Sequence, residues 1–162
     1  MAQYKLHCFC QSGNSYKVAL YLNCAGLDWQ PVFVDFFKGA TRDPQWRASV
    51  NEMGEIPVLE HEGERLTQTA PILLSLAARY GRFGSHDDKE QFEILRWLFW
   101  DNHKLTGYMA TYRYNRAFTP SPNPEVLAFL KRRIDDYLGI LDNHLRERPF
   151  GSARNPPSPT SP

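Results

Sequence analysis

Three short stretches carry residue types whose spacing can do chemistry: Ser12-Gly13-Asn14-Ser15, Glu55-Ile56-Pro57-Val58 and Gln68-Thr69. A hydroxyl at Ser12, just ahead of a helix, can donate to a bound thiol's sulfur and favour the thiolate. The helix N-terminus pushes the same way, and lowering a thiol from about 8.5 by one or two units raises its nucleophilic fraction at neutral pH. The same residues also make good N-caps with no further role. A proline opening a strand, as Pro57 does, is useful when its peptide bond is cis, because Ile56 then offers its N–H and C=O to an extended peptide. A trans proline at an edge strand accounts for the residues equally well. Gln68-Thr69 stands before another helix, where unpaired amides and the helix dipole suit a carboxylate; Thr69 as a simple cap is the alternative.

The elements that must position these groups follow from periodicity. Tyr4 to Phe9 reads as a strand, Val18, Tyr21, Leu22 and Ala25 as one face of a helix stopped by Gly26, and residues 31–35 as a second strand. Strand, helix, strand favours a parallel pair. An irregular stretch follows, with a short helix near Pro44 to Val50. Residues 56–59 and 64–67, flanking His61-Glu62-Gly63, carry a hairpin signature. Ile72, Leu73, Leu76, Ala77 and Tyr80 then form an apolar stripe ended by Gly81. The order βαβ-α-ββα makes a closed α/β domain over 1–81.

Residues 82–88 read as a polar linker. Beyond it the pattern is helical over 88–148, with Phe92, Leu95, Leu98, Phe99 and Asn102 on one face and Leu127, Leu130, Ile134, Leu138, Leu141 and Leu145 on another. Two such stripes need further neighbours to be buried, so this second domain is expected to be incomplete. Residues 151–162 hold four prolines and no large apolar side chain, a composition expected to be disordered.

Composition narrows the function classes. The chain is 42% hydrophobic and 14% aromatic, with a net charge of +1 and both signs scattered, so it can build a core and offers no surface for nucleic acid. No apolar run is long enough for a membrane span and no secretory layout opens the chain. Cys8, Cys10 and Cys24 are odd in number and lack CxxC spacing, which fits reduced thiols in the cytoplasm. Cys8 and Cys10 are expected on one buried face of the first strand. The five histidines lack metal-ligand spacing, so no metal is expected.

Over residues 3 to about 148 the sequence resembles the glutathione transferase family. Ser12-Gly13-Asn14-Ser15-Tyr16-Lys17-Val18 is similar to the Ser-Ser-Cys-Ser-Trp-Arg-Val stretch of zeta-class enzymes. Asn51-Glu52-Met53-Gly54-Glu55-Ile56-Pro57 resembles the Asn-Pro-x-x-x-Val-Pro approach to a cis proline, and Leu66-Thr67-Gln68-Thr69-Ala70-Pro71-Ile72 resembles the Gln-Ser-x-x-Ile signature. Asp101-Asn102-His103-Lys104 matches a motif of bacterial relatives. The resemblance implies a thioredoxin-like glutathione-binding domain followed by a truncated all-α domain, with glutathione as co-substrate and no metal. It implies that Ser12 activates the glutathione thiol and that Ile56, ahead of Pro57, pairs with the cysteinyl backbone. Gln68 and Thr69 would then hold the γ-glutamyl end, while Asn14 joins the binding set and Arg42 is a candidate for the glycine end. Asn14 stands where zeta enzymes have cysteine, which argues against maleylacetoacetate-type isomerisation. Tyr16 lies inside the helix, away from the strand end used by tyrosine-dependent classes.

The activity implied is conjugation of glutathione to a small electrophile by a homodimer. The alternatives are a glutathione-binding or interaction domain without turnover, and glutathione-dependent disulfide reduction. Relatives continue past the equivalent of residue 150 with Gly-x-x-Pro-Ser/Thr-Ile-Ala-Asp. Regrouping the codons permitted for residues 155–162 allows Pro-Thr-Ile-Ala-Asp at every slot, so the tail is expected to be a frameshifted reading of that motif. The nucleotide sequence tests this expectation directly.

Overall fold

A two-residue alternation sets β1 (Tyr4–Cys8): Tyr4 and Leu6 are buried at 1%, while Lys5 and His7 turn to the other side. The computed structural model describes residues 3–146 and 148, and the chain divides between Gly84 and Ser85 into two compact units. The expectations for 151–162 lie outside the described residues.

In the first unit, Ser12 caps α1 (Gly13–Cys24) by accepting from the Ser15 N–H at 3.1 Å, and Gly26, at φ 68°, follows its end. Val18, Tyr21, Leu22 and Ala25 are buried, as their spacing predicts. The chain returns as β2 (Trp29–Phe33), parallel to β1. This strand begins and ends two residues earlier than expected, because Pro31 sits inside it. The sheet order is β2-β1-β3-β4, so β2 is an edge and the proline's missing N–H leaves no ladder bond unmade on the open side.

A 3₁₀ turn (Ala40–Arg42) leads to α2 (Pro44–Ser49), capped by the Asp43 carboxylate at 2.7 Å from the Gln45 N–H. The loop that follows is organised by Asn51, 3% exposed. Its Nδ2 donates to the Glu55 carbonyl at 2.8 Å and its Oδ1 accepts from the Met53 N–H at 3.2 Å. The Ile56–Pro57 peptide bond is cis. Then β3 (Val58–His61) and β4 (Glu64–Thr67) pair antiparallel through Glu62 and Gly63, both at positive φ, the conformation a two-residue type I′ turn requires. Finally α3 (Thr69–Tyr80) ends at Gly81. Leu6 and Leu59 from the sheet, Val18 and Leu22 from α1, and Ile72 and Leu76 from α3 form one buried cluster. Burying each such side chain contributes about 1.5–3 kcal/mol.

On the opposite face of the sheet, Glu60 gathers three basic side chains. Lys5 Nζ lies at 3.2 Å, His7 Nε2 at 3.3 Å and Arg65 Nε at 3.6 Å from its carboxylate. Hydrogen bonds from Lys5 and then His7 hold the Glu60 carboxyl below its ordinary value. Arg65 also donates through Nη1 to the Ser49 carbonyl, tying the end of α2 to the sheet.

The second unit is helical. Asp87 caps α4 (Asp88–Trp100), which passes through a π-helical turn (Asp101–Leu105) into α5 (Thr106–Phe118). Asn123 accepts from the Glu125 N–H at 2.9 Å and starts α6 (Pro124–Arg146). The two expected stripes are only partly buried. Leu130 and Ile134 are buried, but Tyr137 takes the next inward position and Leu138 and Leu145 are exposed. On α4, Phe92 and Phe99 are 65% and 72% exposed, and Asn102 is exposed too. The α6 core instead meets aromatics: Tyr137 packs with Trp100 at 6.0 Å and Tyr108 at 5.5 Å between ring centroids. No helix of the described residues is long and apolar enough to cross a membrane.

Gly54 has φ +67°, and a Cβ there would stand 2.7 Å from the Thr41 carbonyl oxygen and 2.6 Å from Arg47 Nε. Gly54→Ala is therefore expected to lower stability by about 1–3 kcal/mol in urea unfolding. Glu60 has a lowered folded pKa, so its stabilisation is complete above 4.5, the ordinary value, and is lost as pH falls through the lower folded value. Glu60→Gln should flatten that acid limb in unfolding curves recorded across pH, and an unchanged limb would remove Glu60 from it.

Candidate functional site

The register across three strands builds the site. His7 stands opposite Val58, and Val58 opposite Thr67. Neighbouring strands lie about 4.8 Å apart, so this row spans roughly 10 Å. The chain runs on from His7 to Ser12, Val58 is entered from Ile56 and Pro57, and Thr67 leads into Gln68 and Thr69. The sheet thus brings the three sequence stretches to one end. Phe33, paired with Cys8, finishes β2 at that end as well, and the chain continues from it to Arg42.

Ser12 is the N-cap of α1, so the capping role is real. It does not use up the hydroxyl. The oxygen accepts from Ser15, and among the described residues nothing accepts its proton. That proton remains available to a sulfur. Asn14 lies in the first turn of α1, half-buried, and Arg42 is exposed at the end of the 3₁₀ turn. Among the described residues neither hydrogen-bonds to the Ser12 side chain.

At the start of α3, Gln68 is the N-cap residue, with φ 66° and ψ 124° and no side-chain capping bond. Thr69 is therefore the first helical residue and does not cap its own helix. The first intrahelical bond runs from the Ile72 N–H to the Gln68 carbonyl at 3.0 Å, and Pro71 has no N–H to offer. The amides of Thr69 and Ala70 are left as the helix's unpaired donors. Thr69 Oγ1 is buried and has no partner in the protein, and the same holds for Ser15 Oγ in α1.

Ile56 lies between these two helix starts. The β3 ladder begins only at Val58, and among the described residues no backbone hydrogen bond engages the Ile56 N–H or C=O. The residue before it belongs to the stretch picked out by sequence but was given no role of its own there. Glu55 turns its carboxylate to Gln68, whose Nε2 donates to Glu55 Oε2 at 2.6 Å and contacts Met53 Sδ at 3.3 Å. An acidic residue in a loop carries no local signal; only the Asn51-built turn aims it.

The cysteine expectation is corrected. Cys8 closes β1 half-buried, and burial raises its thiol pKa, with a smaller push from Cys10. Cys10 lies beyond the strand, exposed, with its Sγ at 3.0 Å from Gln11 Oε1, because the chain has already turned toward Ser12. Among the described residues no group of three or more His, Cys, Asp or Glu side chains is arranged to hold a metal ion.

Comparison with known proteins gives this geometry a family. Residues 2–77 match the glutathione S-transferase N-terminal domain. Glutathione S-transferase F14 of Arabidopsis thaliana is 28% identical over 155 residues, covering 90% of this chain and 60% of that protein. The disulfide-bond oxidoreductase YfcG of Escherichia coli (strain K12) is 28% identical, covering 91% of this chain and 71% of its own length. The solved glutathione S-transferase of Pseudomonas fluorescens superposes with a TM-score of 0.87 at 29% identity, over 95% of this chain and 77% of that one. Ure2p in complex with glutathione shares the fold, with a TM-score of 0.81 at 24% identity over 91% of this chain and 70% of that one. The chain thus spans about 60% of the length of the Arabidopsis relative. The sheet-end geometry and these matches agree: over residues 2–77 the chain carries the glutathione S-transferase N-terminal domain.

Proposed function

We propose that the chain binds glutathione along Ile56 and activates its thiol through Ser12 for attack on a small electrophile. One observation carries this reading: a backbone at Ile56 without a hydrogen-bond partner among the described residues, flanked by two helix N-termini, one with a spare hydroxyl proton at Ser12 and one with unpaired donors at Thr69 and Ala70. The cysteinyl residue of the tripeptide pairs with Ile56 ahead of Pro57 as an added strand. Its γ-glutamyl carboxylate accepts from the Thr69 and Ala70 amides and the Thr69 hydroxyl, where the α3 dipole favours an anion. Gln68 braces that end. Asn14 borders the thiol, and Arg42 is assigned the glycyl carboxylate.

The thiol then ionises beside α1, its proton passing to solvent. Ser12 Oγ, fixed by its capping bond, donates a hydrogen bond to the sulfur and stabilises the thiolate. The sulfur attacks an electrophilic carbon and the leaving group departs with the bonding pair. We assign the working form as a homodimer in the cytoplasm, supported by exposed Phe92 and Phe99 on α4 and by three free cysteine thiols.

A second reading is glutathione-dependent disulfide reduction, favoured by similarity to a disulfide-bond oxidoreductase at 28% identity and by the exposed thiol of Cys10 two residues before Ser12. Retention on a glutathione column with turnover of chlorodinitrobenzene supports conjugation. Turnover of a hydroxyethyl disulfide alone supports the second reading. Retention with neither supports a binding domain, and absence of retention removes the glutathione site.

Ser12→Ala should cut kcat/KM for conjugation about 10²-fold while Ser12→Thr keeps most of it, since losing one preorganised donor costs about that factor. Equal rates in all three proteins would take Ser12 out of the mechanism. Thr69→Val should weaken glutathione binding about tenfold by calorimetry, the loss of a charge-assisted hydrogen bond of roughly 1.4 kcal/mol.

A further inference from the structure

We infer that residues 81–84 form a strained strap that ties α1 to α3 at the ends remote from Ser12 and Thr69, a device independent of what the site binds. Composition reads residues 82–88 as a polar linker, and exposed connecting chain is where nicking and free movement concentrate. The first part of that stretch is instead fastened to both helices. On the α1 side, the buried Tyr21 donates from its hydroxyl to the Arg82 carbonyl at 2.8 Å. Arg82 Nη1 returns a hydrogen bond to the Ala25 carbonyl, also at 2.8 Å. The last turn of α1 carries no basic residue of its own, so this guanidinium meets the negative end of the helix dipole from a distant part of the chain.

On the α3 side, the Gly81 N–H donates to the Ala77 carbonyl at 2.9 Å, and a Cβ on Gly84 would stand 3.4 Å from Ala77 Cβ. The strap therefore passes close over the last turn of that helix. Between these two attachments Phe83 sits at φ 58°, a left-handed conformation that is costly for a bulky residue. Its ring meets the Tyr21 ring edge-on at 5.5 Å between centroids, and the Arg82 guanidinium lies 5.6 Å from its centre. A free connector would relax out of that conformation. Here two reciprocal hydrogen bonds and a ring contact hold it, so losing one hook shifts the strap toward release. Both helices begin at the site end of the sheet, and the strap joins them at their other ends.

The test is limited trypsin digestion of the full chain, read by mass spectrometry at two bonds. Arg82–Phe83 lies in the strap. Lys5–Leu6 lies in β1, inside the sheet, and reports opening of the whole first unit. In wild type Arg82–Phe83 should be cut on the order of 100-fold more slowly than in a free peptide of residues 78–87. Equal rates in protein and peptide would mean an ordinary linker and overturn the proposal. Tyr21→Phe keeps the ring and removes only the hydroxyl. It should speed cutting at Arg82–Phe83 about tenfold, the effect of one lost hydrogen bond on an opening equilibrium, and leave Lys5–Leu6 unchanged. Acceleration of neither bond, or of both alike, overturns a strap hooked by Tyr21. Phe83→Ala should be cut faster than Phe83→Gly, each measured against its own peptide, because glycine takes the left-handed conformation freely. Equal rates, or the reverse order, overturn the strain.

Discussion

The position of β3 between β1 and β4, antiparallel to both, is the constraint on which the first unit depends. Because β3 runs against its neighbours, its first residue meets their far ends, His7, the last but one of β1, on one side and Thr67, the last of β4, on the other. The helices that follow those neighbours, α1 and α3, must both begin at that end. Two helix N-termini therefore flank one stretch of unpaired backbone at Ile56. Each contributes partial positive charge of about half an elementary unit, and the positive potential at that end of the sheet is a product of topology before any side chain is considered.

Holding that arrangement falls to residues that touch no substrate. Asn51 folds the entry to Pro57 from inside, and Gly54 lets the loop press against the Thr41 carbonyl. Behind the sheet, Glu60 joins Lys5 and His7 of β1 to Arg65 of β4, and Arg65 reaches the last turn of α2. The strands that define the register are thus crosslinked on one face by charge and on the other by the Leu6, Leu59 and Ile72 cluster. Exposed ion pairs contribute little singly, about 0–1 kcal/mol; three basic side chains on one carboxylate act on geometry more than on stability.

The second unit is organised by aromatic contacts. Trp97, Trp100, Tyr108 and Tyr137 meet edge-on or tilted, and the Arg133 guanidinium lies 6.0 Å from the Tyr108 ring centre and 5.7 Å from that of Tyr137. The Asp101-Asn102-His103-Lys104 motif falls on the π-helical turn, where Thr106 Oγ1 donates to Asp101 Oδ1 at 2.9 Å. A widened turn shifts every residue after it around the helix axis, so the face predicted for α4 does not continue into α5.

The amino-acid order by itself determined the elements of the first unit, because each has a local cause. Ser12 caps, Gly26 and Gly81 stop helices, Glu62-Gly63 turns the hairpin, and the Ile72, Leu76 stripe has one period. It also determined the three chemical stretches, since their residue types are few and their order is recognisable. Tertiary structure decided what depends on neighbours distant in sequence. Pro31 is allowed mid-strand only because β2 is an edge, Tyr137 displaces Leu138 from the core because Trp100 and Tyr108 stand opposite it, and Cys10 is exposed because the chain leaves the sheet before reaching it. Glu55 is turned toward Gln68 the same way. Its charge was visible from the start, but its direction is set by Asn51 and Gln68, and a one-dimensional pattern holds no vector.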